Sequence, residues 1–428
     1  MTLFTKMPFV AIATLFFFIS SQTTTAQKDS LSSSQEALQL AKHWEKDAEE
    51  MLKRWHRDYA NNEKTLYAPA EKSLSGAPIE DSDVVRRTRL AQLPTELKLP
   101  YNKQVKEGIN LFVKRKKRLV PTLLSLGSYY FPTIEKIFDK YDIPLELKYL
   151  AVVESNLNPS VVSPSGAKGL WQFMLPTAKA YGLEVSSLVD ERLDLEKSTD
   201  AAARHLLDLY GMYKDWLLVI AAYNAGIGTI NRAIHRSGKA DFWGIYSYLP
   251  RQTRDYIPLF IATYYAMHHH AVYHMQAVAF SYPSDVDTVS IRKKLSIKEI
   301  AQRTKLSESF IRLINPQFKS SYIPGHIRPY VLTLPLSAIS LLEQTDHGEV
   351  AKASDHTPLP APSEAMPPSS RVCPDPSRSY TIRKGDSLYK IARMHGVSLK
   401  DLMNANNIKK YSYKLIPGKA LQIPEKSN

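Results

Sequence analysis

Cysteine is almost absent from this sequence: a single one, Cys373, stands among 428 residues. One cysteine excludes an internal disulfide, and it lies far from the N-terminus, so we do not expect a lipoprotein. The N-terminal apolar run PFVAIATLFFFIS also falls short of the roughly twenty residues of a membrane-spanning helix. It follows Lys6 and leads to small residues ending at Ala26, a pattern typical of a signal peptide. We expect residues 1–26 to be cleaved on export, an uncleaved membrane anchor being the alternative.

Acidic residues are in the minority, with 42 Asp and Glu against 56 Lys and Arg and a formal net charge of +14. An exported basic protein rarely meets nucleic acid, so we expect no nucleic-acid partner. Anionic cell-wall polymer or lipid head groups are the expected neighbours, with at most a peripheral association with the cell envelope. A generic solvated basic surface explains the charge equally well, and the sequence makes no prediction of oligomeric state.

Two helical regions follow the signal peptide. Residues 27–99 place apolar side chains at helical spacing, for example in SQEALQLAKHWEKDAEEMLKRWHRDYA, and their predicted role is packing. Residues 100–280 contain helical segments separated by Gly and Pro, for example PTIEKIFDKYD from Pro132. Pro144 suits the start of one helix, and Ser198 is predicted to cap another. Their apolar stretches suit buried helices rather than membrane spans. We therefore expect an all-α globular domain.

The C-terminal third contains two copies of one pattern. At a constant offset, Ile291-Arg292-Lys293 aligns with Ile382-Arg383-Lys384, and Asn315 aligns with Asn406. A short strand, two amphipathic helices and a return strand predict a small α+β unit of βααβ order in residues 286–336 and again in 379–424. Residues 343–378 are rich in Pro and Ser and predict an extended linker.

One carboxylate, Glu154, follows the apolar run Leu150-Ala151-Val152-Val153 at the predicted end of the helix LELKYLAVVES. Apolar surroundings and a negative helix end both disfavour the ionised form, so the pKa of such a carboxyl rises. A carboxyl that keeps its proton near neutrality is a general acid. From the helix alone, a glutamate satisfied by a neighbouring amide or arginine is the alternative.

The residues around Glu154 resemble the lytic transglycosylase domain, which has the goose-type lysozyme fold. The matching residues are, in order, Glu154-Ser155, Ser163, Gly166, Gly169-Leu170, Gln172, Phe173-Met174 and AAYNAG at 221–226. Trp171, VDERLD at 189–194 and LP…TRDYIP at 249–258 are most similar to the membrane-bound lytic murein transglycosylase D family. The two βααβ copies resemble LysM modules. A multidomain chain is implied: a mainly α, lysozyme-like catalytic domain followed by two small α+β modules.

The resemblance implies cleavage of the β-1,4 bond between N-acetylmuramic acid and N-acetylglucosamine in peptidoglycan, without water and without a cofactor or metal. Glu154 is the implied single acid and base, and a periplasmic or cell-envelope location follows. The stretch from Ser155 to Tyr181 contains no Asp or Glu, which agrees with one catalytic carboxylate. A muramidase that hydrolyses the same bond and a non-catalytic wall-binding protein are the alternatives. The implied substrate-binding residues are Ser163, Gln172, Met174, Tyr223, Asn224 and Tyr256.

Glycan binding is implied for the second module. Its binding turn is Gly385, Asp386, Ser387 and Leu388. The first module reads Lys294-Leu295-Ser296-Ile297 at the same place and departs from that pattern, so packing is as good an interpretation as binding. The acidic cluster Asp190, Glu191, Arg192 and Asp194 is interpreted as a solvated or capping turn, and His268-His269-His270 as a polar helix end rather than a metal site.

Overall fold

A computed structural model describes residues 46–55, 57–58, 79–278, 282–283, 285–344, 350–352 and parts of 379–424. The predicted signal peptide, residues 1–26, and most of the predicted linker, residues 343–378, lie outside the described residues. None of the helices in the described part of the chain combines the length and the apolar composition needed to cross a bilayer.

The N-terminal half of the described chain is helical, as predicted. Its helices are α1 Asp83–Ala91, α2 Lys103–Asn110, α3 Leu119–Lys140, α4 Tyr149–Ser155, α5 Leu175–Ala180, α6 Leu195–Tyr213, α7 Trp216–Ala225, α8 Ile227–Ser237, α9 Phe242–Ile245 and α10 Arg251–His268. A π-helical turn, Leu111–Arg115, follows α2, and 3-10 turns lie at Leu145–Lys148, Glu191–Leu193 and Tyr246–Tyr248.

Helix α10 is the centre of this domain. It packs against α2, α4 and α7, and most of its side chains are buried, including Phe260, Ile261 and Tyr264. Burial of each large apolar side chain contributes roughly 1.5–3 kcal/mol. Because α4 and α7 end beside α10, this packing brings the end of α4, the end of α7 and the start of α10 into one region.

Two predicted helix starts were wrong. The helix expected to begin at Pro132 runs unbroken from Leu119 to Lys140, because burial of its apolar face outweighs one missing backbone hydrogen bond. The helix expected to be capped by Ser198 begins at Leu195, and its cap is Asp194, which accepts from the Lys197 amide at 2.9 Å. Ser198 is fully buried inside that helix.

An N-terminal helix, covering residues 46–55 and 57–58, connects the helical domain to the module that follows it. Trp55 is fully buried, with its ring 4.6 Å from Tyr129 of α3 and 6.2 Å from Phe310 of the module. Ser307 of the module also donates to the backbone oxygen of Asp58 at 3.0 Å. The predicted packing role of this region is therefore confirmed for these residues.

The first module has the predicted βααβ order. Its elements are β1 Val286–Ile291, β2 Lys294–Ser296, α11 Ile297–Thr304, α12 Glu308–Ile314, β3 Tyr322–Pro324 and β4 Tyr330–Pro335. Strands β1 and β4 pair antiparallel, with Val286 opposite Pro335 and Ile291 opposite Tyr330. The fold continues past residue 336, where helix α13 Leu336–Gln344 packs on the sheet and β5 Val350–Lys352 pairs with the other edge of β1.

The second module shares a buried detail with the first. Its strands β6 Ser379–Thr381 and β7 Ala420–Gln422 pair antiparallel. Asn406 donates to the Gln422 carbonyl and accepts from the Gln422 amide, both at 2.7 Å. Asn315 makes the same pair of bonds to Thr333 in the first module, both at 2.8 Å. The aligned asparagines thus make the same pair of bonds to the last strand in both copies.

Candidate active site

Glu154 stands at the C-terminal end of α4. Every other residue of that helix is buried, whereas Glu154 is half-buried and so partly accessible. The predicted single helix LELKYLAVVES is in fact a 3-10 turn, Leu145–Lys148, joined to the seven-residue α4. The helix stops because Asn156 and Leu157 adopt positive φ angles of 52° and 61°. The chain therefore turns away immediately after the carboxyl.

Burial determines the ionisation of this carboxyl. Loss of hydration raises the pKa of Glu154 from 4.5 to about 7, and a hydrogen bond from Tyr256 lowers it in part. The Tyr256 hydroxyl donates to Oε1 of Glu154 at 2.5 Å. Tyr256 is itself buried near the start of α10, and burial together with the nearby Glu154 raises its own pKa well above 10. Glu154 therefore carries a proton in a large share of molecules at neutral pH.

No second carboxylate perturbs this group among the residues that the structure describes. Burial and the Tyr256 hydroxyl are the causes that shift the pKa of Glu154, and neither is an ion. A like charge a few ångströms away would raise the pKa of one partner by direct repulsion. The site is therefore a single carboxyl with a neutral hydroxyl partner.

The loop between α4 and α5 is fixed against three helices by hydrogen bonds. Ser155 of α4 donates to the Leu170 carbonyl at 2.8 Å, and Tyr223 of α7 donates to the Trp171 carbonyl at 2.8 Å. The Trp171 ring is fully buried and its Nε1 donates to Thr199 of α6 at 2.9 Å. These bonds hold the loop beside the end of α4.

Gly166 and Gly169 have positive φ angles of 83° and 86°. At Gly169 the backbone also approaches another segment closely. A Cβ atom there would lie 1.9 Å from the Arg192 carbonyl oxygen. Only glycine is compatible with both the conformation and the contact.

The six predicted substrate-binding residues fall into three pairs. Tyr256 contacts Glu154, and the pKa of Tyr223 is raised well above 10 by burial and by the nearby Glu154. Ser163 accepts from the Ala167 amide at 3.0 Å, and Gln172 donates to the Gly169 carbonyl at 2.9 Å, so these two stabilise the loop itself. Two more are half-buried at helix ends: Met174 directly before α5, and Asn224 in the last turn of α7.

The acidic cluster is structural, but it is not a solvated turn. Asp190, Glu191 and Arg192 are each at most 4% exposed. Arg192 donates to both carboxylate oxygens of Asp190, at 2.9 and 2.8 Å, and to the carbonyls of Gly166 and Phe173, at 3.1 and 3.3 Å. The prediction of a solvated turn fails because these charges satisfy one another and the loop backbone. Asp194 is the helix cap, which agrees with the capping interpretation.

His205 of α6 was not predicted as part of the site. Its ring lies 5.3 Å from the Tyr223 ring, and its Nδ1 lies 2.9 Å from the Tyr181 hydroxyl. Burial lowers the pKa of His205 to about 4, so the ring is neutral near pH 7. A lone histidine inside a helix gives no sequence signal for a position beside Tyr223.

In the second module, Leu388 is buried and contributes to the module core, whereas Gly385, Asp386 and Ser387 lie outside the described residues. In the first module, the segment aligned with this turn is not an open turn. Lys294–Ser296 forms β2 and pairs with Tyr322–Pro324. In the part of the chain that the structure describes, no cluster of three or more His, Cys, Asp or Glu side chains is arranged to hold a metal ion.

Three family models match the chain. Residues 132–245 match the transglycosylase SLT domain, residues 285–347 match the LysM-like domain of lytic transglycosylase MltD, and residues 380–424 match the LysM domain. The helical domain, in which Tyr256 donates to Glu154 at the end of α4, is joined to these modules, and the combination defines a lytic transglycosylase.

Individual relatives of the chain are also named as transglycosylases. Membrane-bound lytic murein transglycosylase D of Escherichia coli strain K12 is 30% identical over 340 residues, which cover 77% of this chain and 71% of that protein. The chain belongs to the membrane-bound lytic murein transglycosylase D family. Peptidoglycan transglycosylase gp16 of Escherichia phage T7 is 38% identical over 108 residues, covering 24% of this chain and 8% of that protein. A solved complex of the 70-kDa soluble lytic transglycosylase with bulgecin A aligns at 22% identity and a TM-score of 0.31, covering 45% of this chain and 31% of that one.

Proposed function

We propose that Glu154 is the general acid and base with which this enzyme cleaves the β-1,4 bond between N-acetylmuramic acid and N-acetylglucosamine in peptidoglycan. Its protonated carboxyl donates a proton to the glycosidic oxygen as that bond breaks. The resulting carboxylate accepts the proton of the muramyl C6 hydroxyl, whose oxygen attacks the anomeric carbon. A 1,6-anhydro ring closes, Glu154 is protonated again, and no water is consumed.

The observation that carries this proposal is the solitary, partly protonated carboxyl of Glu154. Its pKa is raised to about 7, and no carboxylate is among the described groups that shift it. Most glycosidases that use water or a protein nucleophile need a second carboxyl roughly 5–9.5 Å from the first. When the nucleophile is a hydroxyl of the substrate itself, its proximity replaces that second group.

Tyr256 has a role in both halves of this reaction. Its hydroxyl, 2.5 Å from Glu154, stabilises the carboxylate that exists between the two proton transfers. The same bond orients the carboxyl, which favours one direction of proton delivery. Tyr223 is the second aromatic residue for which we propose contact with the sugar, since an aromatic ring can stack on a sugar face. For the remaining sugar contacts we propose Ser163, Gln172, Met174 and Asn224.

The second LysM module supplies glycan affinity in this proposal, through the turn that contains Leu388. We place the enzyme outside the cytoplasm, in the cell envelope, where its substrate is found. A net charge of +14 favours peripheral contact with anionic envelope polymers.

The test is Glu154→Gln in the full chain. Gln keeps the shape of Glu and removes its proton chemistry, so the variant should sediment with purified sacculi as the parent does but release no soluble muropeptides. Glu107→Gln, which removes a half-exposed carboxylate from α2, is the matched control and should retain full release. Undiminished release by Glu154→Gln would refute the assignment.

A further inference from the structure

The first module is docked on the catalytic domain through a backbone contact. The connection between α12 and β3 runs beside residues 188–190, where Val189 and Phe318 form an antiparallel β-bridge. The amide of Asp190 donates to the Gln317 carbonyl, and the amide of Lys319 donates to the Leu188 carbonyl, both at 2.9 Å. Val189 is fully buried. The two domains thus share a short two-stranded pairing.

Charged side chains reinforce the same interface. Arg328 of the module donates to Glu184 at 2.5 and 3.1 Å and to Glu191 at 2.7 Å. Tyr330 donates to Glu184 at 2.9 Å, and Lys319 donates through its side chain to the Ser186 carbonyl at 2.8 Å. Burial alone raises the pKa of Glu184, but the bonds from Arg328 and Tyr330 outweigh it, so the pKa lies below its usual value. The carboxylate is therefore ionised at neutral pH and available for this pair.

The docked segment, residues 188–190, continues directly into the residues that hold the loop between α4 and α5. Asp190, whose amide is bound by the module, holds the Arg192 guanidinium in a bidentate pair. Arg192 in turn donates to the loop carbonyls of Gly166 and Phe173, and its own carbonyl is in close contact with Gly169. A continuous set of contacts therefore joins the module to the loop beside Glu154.

We propose that the first module is a positioning domain: by binding residues 184–190 it fixes Asp190 and Arg192, and through them the loop that carries the substrate-binding residues. Asp190 and Arg192 are positioning residues and do not contact substrate. The inference rests on the proposed function of Glu154 for its kinetic consequence only. The contacts themselves predict that the loop becomes more mobile when the module contact is lost. This change can be measured in a protein without enzymatic activity.

The part of the first module aligned with the glycan-binding turn is consistent with this role. Lys294–Ser296 is paired as a strand, and Leu295 and Ile297 are buried at 1% exposure, so this segment is committed to the module core. Gln317, Lys319, Arg328 and Tyr330 of the module contact the catalytic domain. In this proposal the second module binds the glycan.

The experiment uses three variants of the full chain: Arg328→Ala, Arg328→Lys and Lys298→Ala. The Arg328 side chain is 42% exposed, so its removal should not unfold the module, and a thermal melt checks this. Lys298 is an exposed residue of α11, and its substitution removes the same charge from the same module away from the interface. Three quantities are measured: kcat and KM on short soluble glycan strands, sedimentation with sacculi, and hydrogen exchange of the amides in residues 163–173.

For Arg328→Ala we expect kcat to fall about tenfold and KM to rise, because the loop that carries proposed sugar contacts loses its geometry, while sacculus binding through the second module stays unchanged. The loop amides should exchange faster, and Arg328→Lys should restore most of both properties. Lys298→Ala should behave as the parent. Unchanged loop exchange in Arg328→Ala would overturn the proposal whether or not the parent is active. Loss of sacculus binding with unchanged kcat would overturn it in favour of a glycan-binding module. If the parent yields no anhydro products, the proposed function fails while the exchange result still decides this inference.

Discussion

Replacement of Glu154 by Gln should make the protein more stable at alkaline pH and leave its stability unchanged at acid pH. Burial disfavours the ionised carboxyl in the folded state and not in the unfolded chain, where its pKa is the ordinary 4.5. The folded parent therefore loses stability as the pH rises from 4.5 through about 7, because it must either ionise a buried group or keep a proton that the unfolded chain releases. Gln does not titrate, so the variant does not lose stability in this way.

The size of the effect follows from the pKa. A shift from 4.5 to about 7 corresponds to about 3 kcal/mol of lost stability above the higher value. At about pH 8.5, the free energy of unfolding of Glu154→Gln should therefore exceed that of the parent by up to about 3 kcal/mol, which raises Tm by roughly 6–12 °C for a domain of this size. At about pH 4 the protonated carboxyl of Glu154 and the amide of Gln are both neutral, so the parent and the variant should have the same Tm.

Denaturant unfolding at both pH values, followed by tyrosine and tryptophan fluorescence, measures this difference. Glu107→Gln serves as control, because the ion pair of a half-exposed carboxylate with Arg115 is worth only about 0–1 kcal/mol. Equal stability of Glu154→Gln and the parent at both pH values would refute the argument that burial sets the pKa of Glu154. A stabilisation of the same size at both pH values would refute it equally.

Three further variants test other contacts. Tyr256→Phe removes the bond that lowers the pKa of Glu154, so the alkaline limb of the kcat profile should move up by about one pH unit, and a downward move would contradict this. Gly169→Ala should destabilise the domain by on the order of 3 kcal/mol in denaturant unfolding, because its Cβ would meet the Arg192 carbonyl at a positive φ; wild-type stability would show that the loop can shift. Asn315→Ala should lower the first module's stability by about 2–4 kcal/mol in hydrogen exchange, because buried groups of the last strand lose their partners; unchanged protection would contradict this.

The sequence was sufficient for features that depend on local pattern. The helical domain and the βααβ order of the first module follow from periodicity, and the aligned Asn315 and Asn406 proved to make equivalent bonds. The raised pKa of Glu154 follows from an apolar run that ends at a carboxyl. These features need only the character of neighbouring residues and the usual geometry of helices and strands.

Features that depend on tertiary contact could not be predicted from local sequence patterns. Tyr256 lies 102 residues from Glu154, and only the packing of α10 against α4 brings the two together. The cluster at Asp190 is contacted by the docked module, and no local sequence pattern predicts the pairing of that module with Val189. The uninterrupted helix through Pro132 likewise reflects packing that overrides a local breaker.

The most direct test of the central claim is digestion of sacculi in water enriched in heavy oxygen, with mass spectrometry of the released muropeptides. If the C6 hydroxyl of the substrate is the nucleophile and Glu154 serves as both acid and base, the muramyl ends should be anhydro sugars, lighter by one water and free of heavy oxygen. Products with an added water that contains heavy oxygen at the muramyl end would contradict the account and identify a hydrolase.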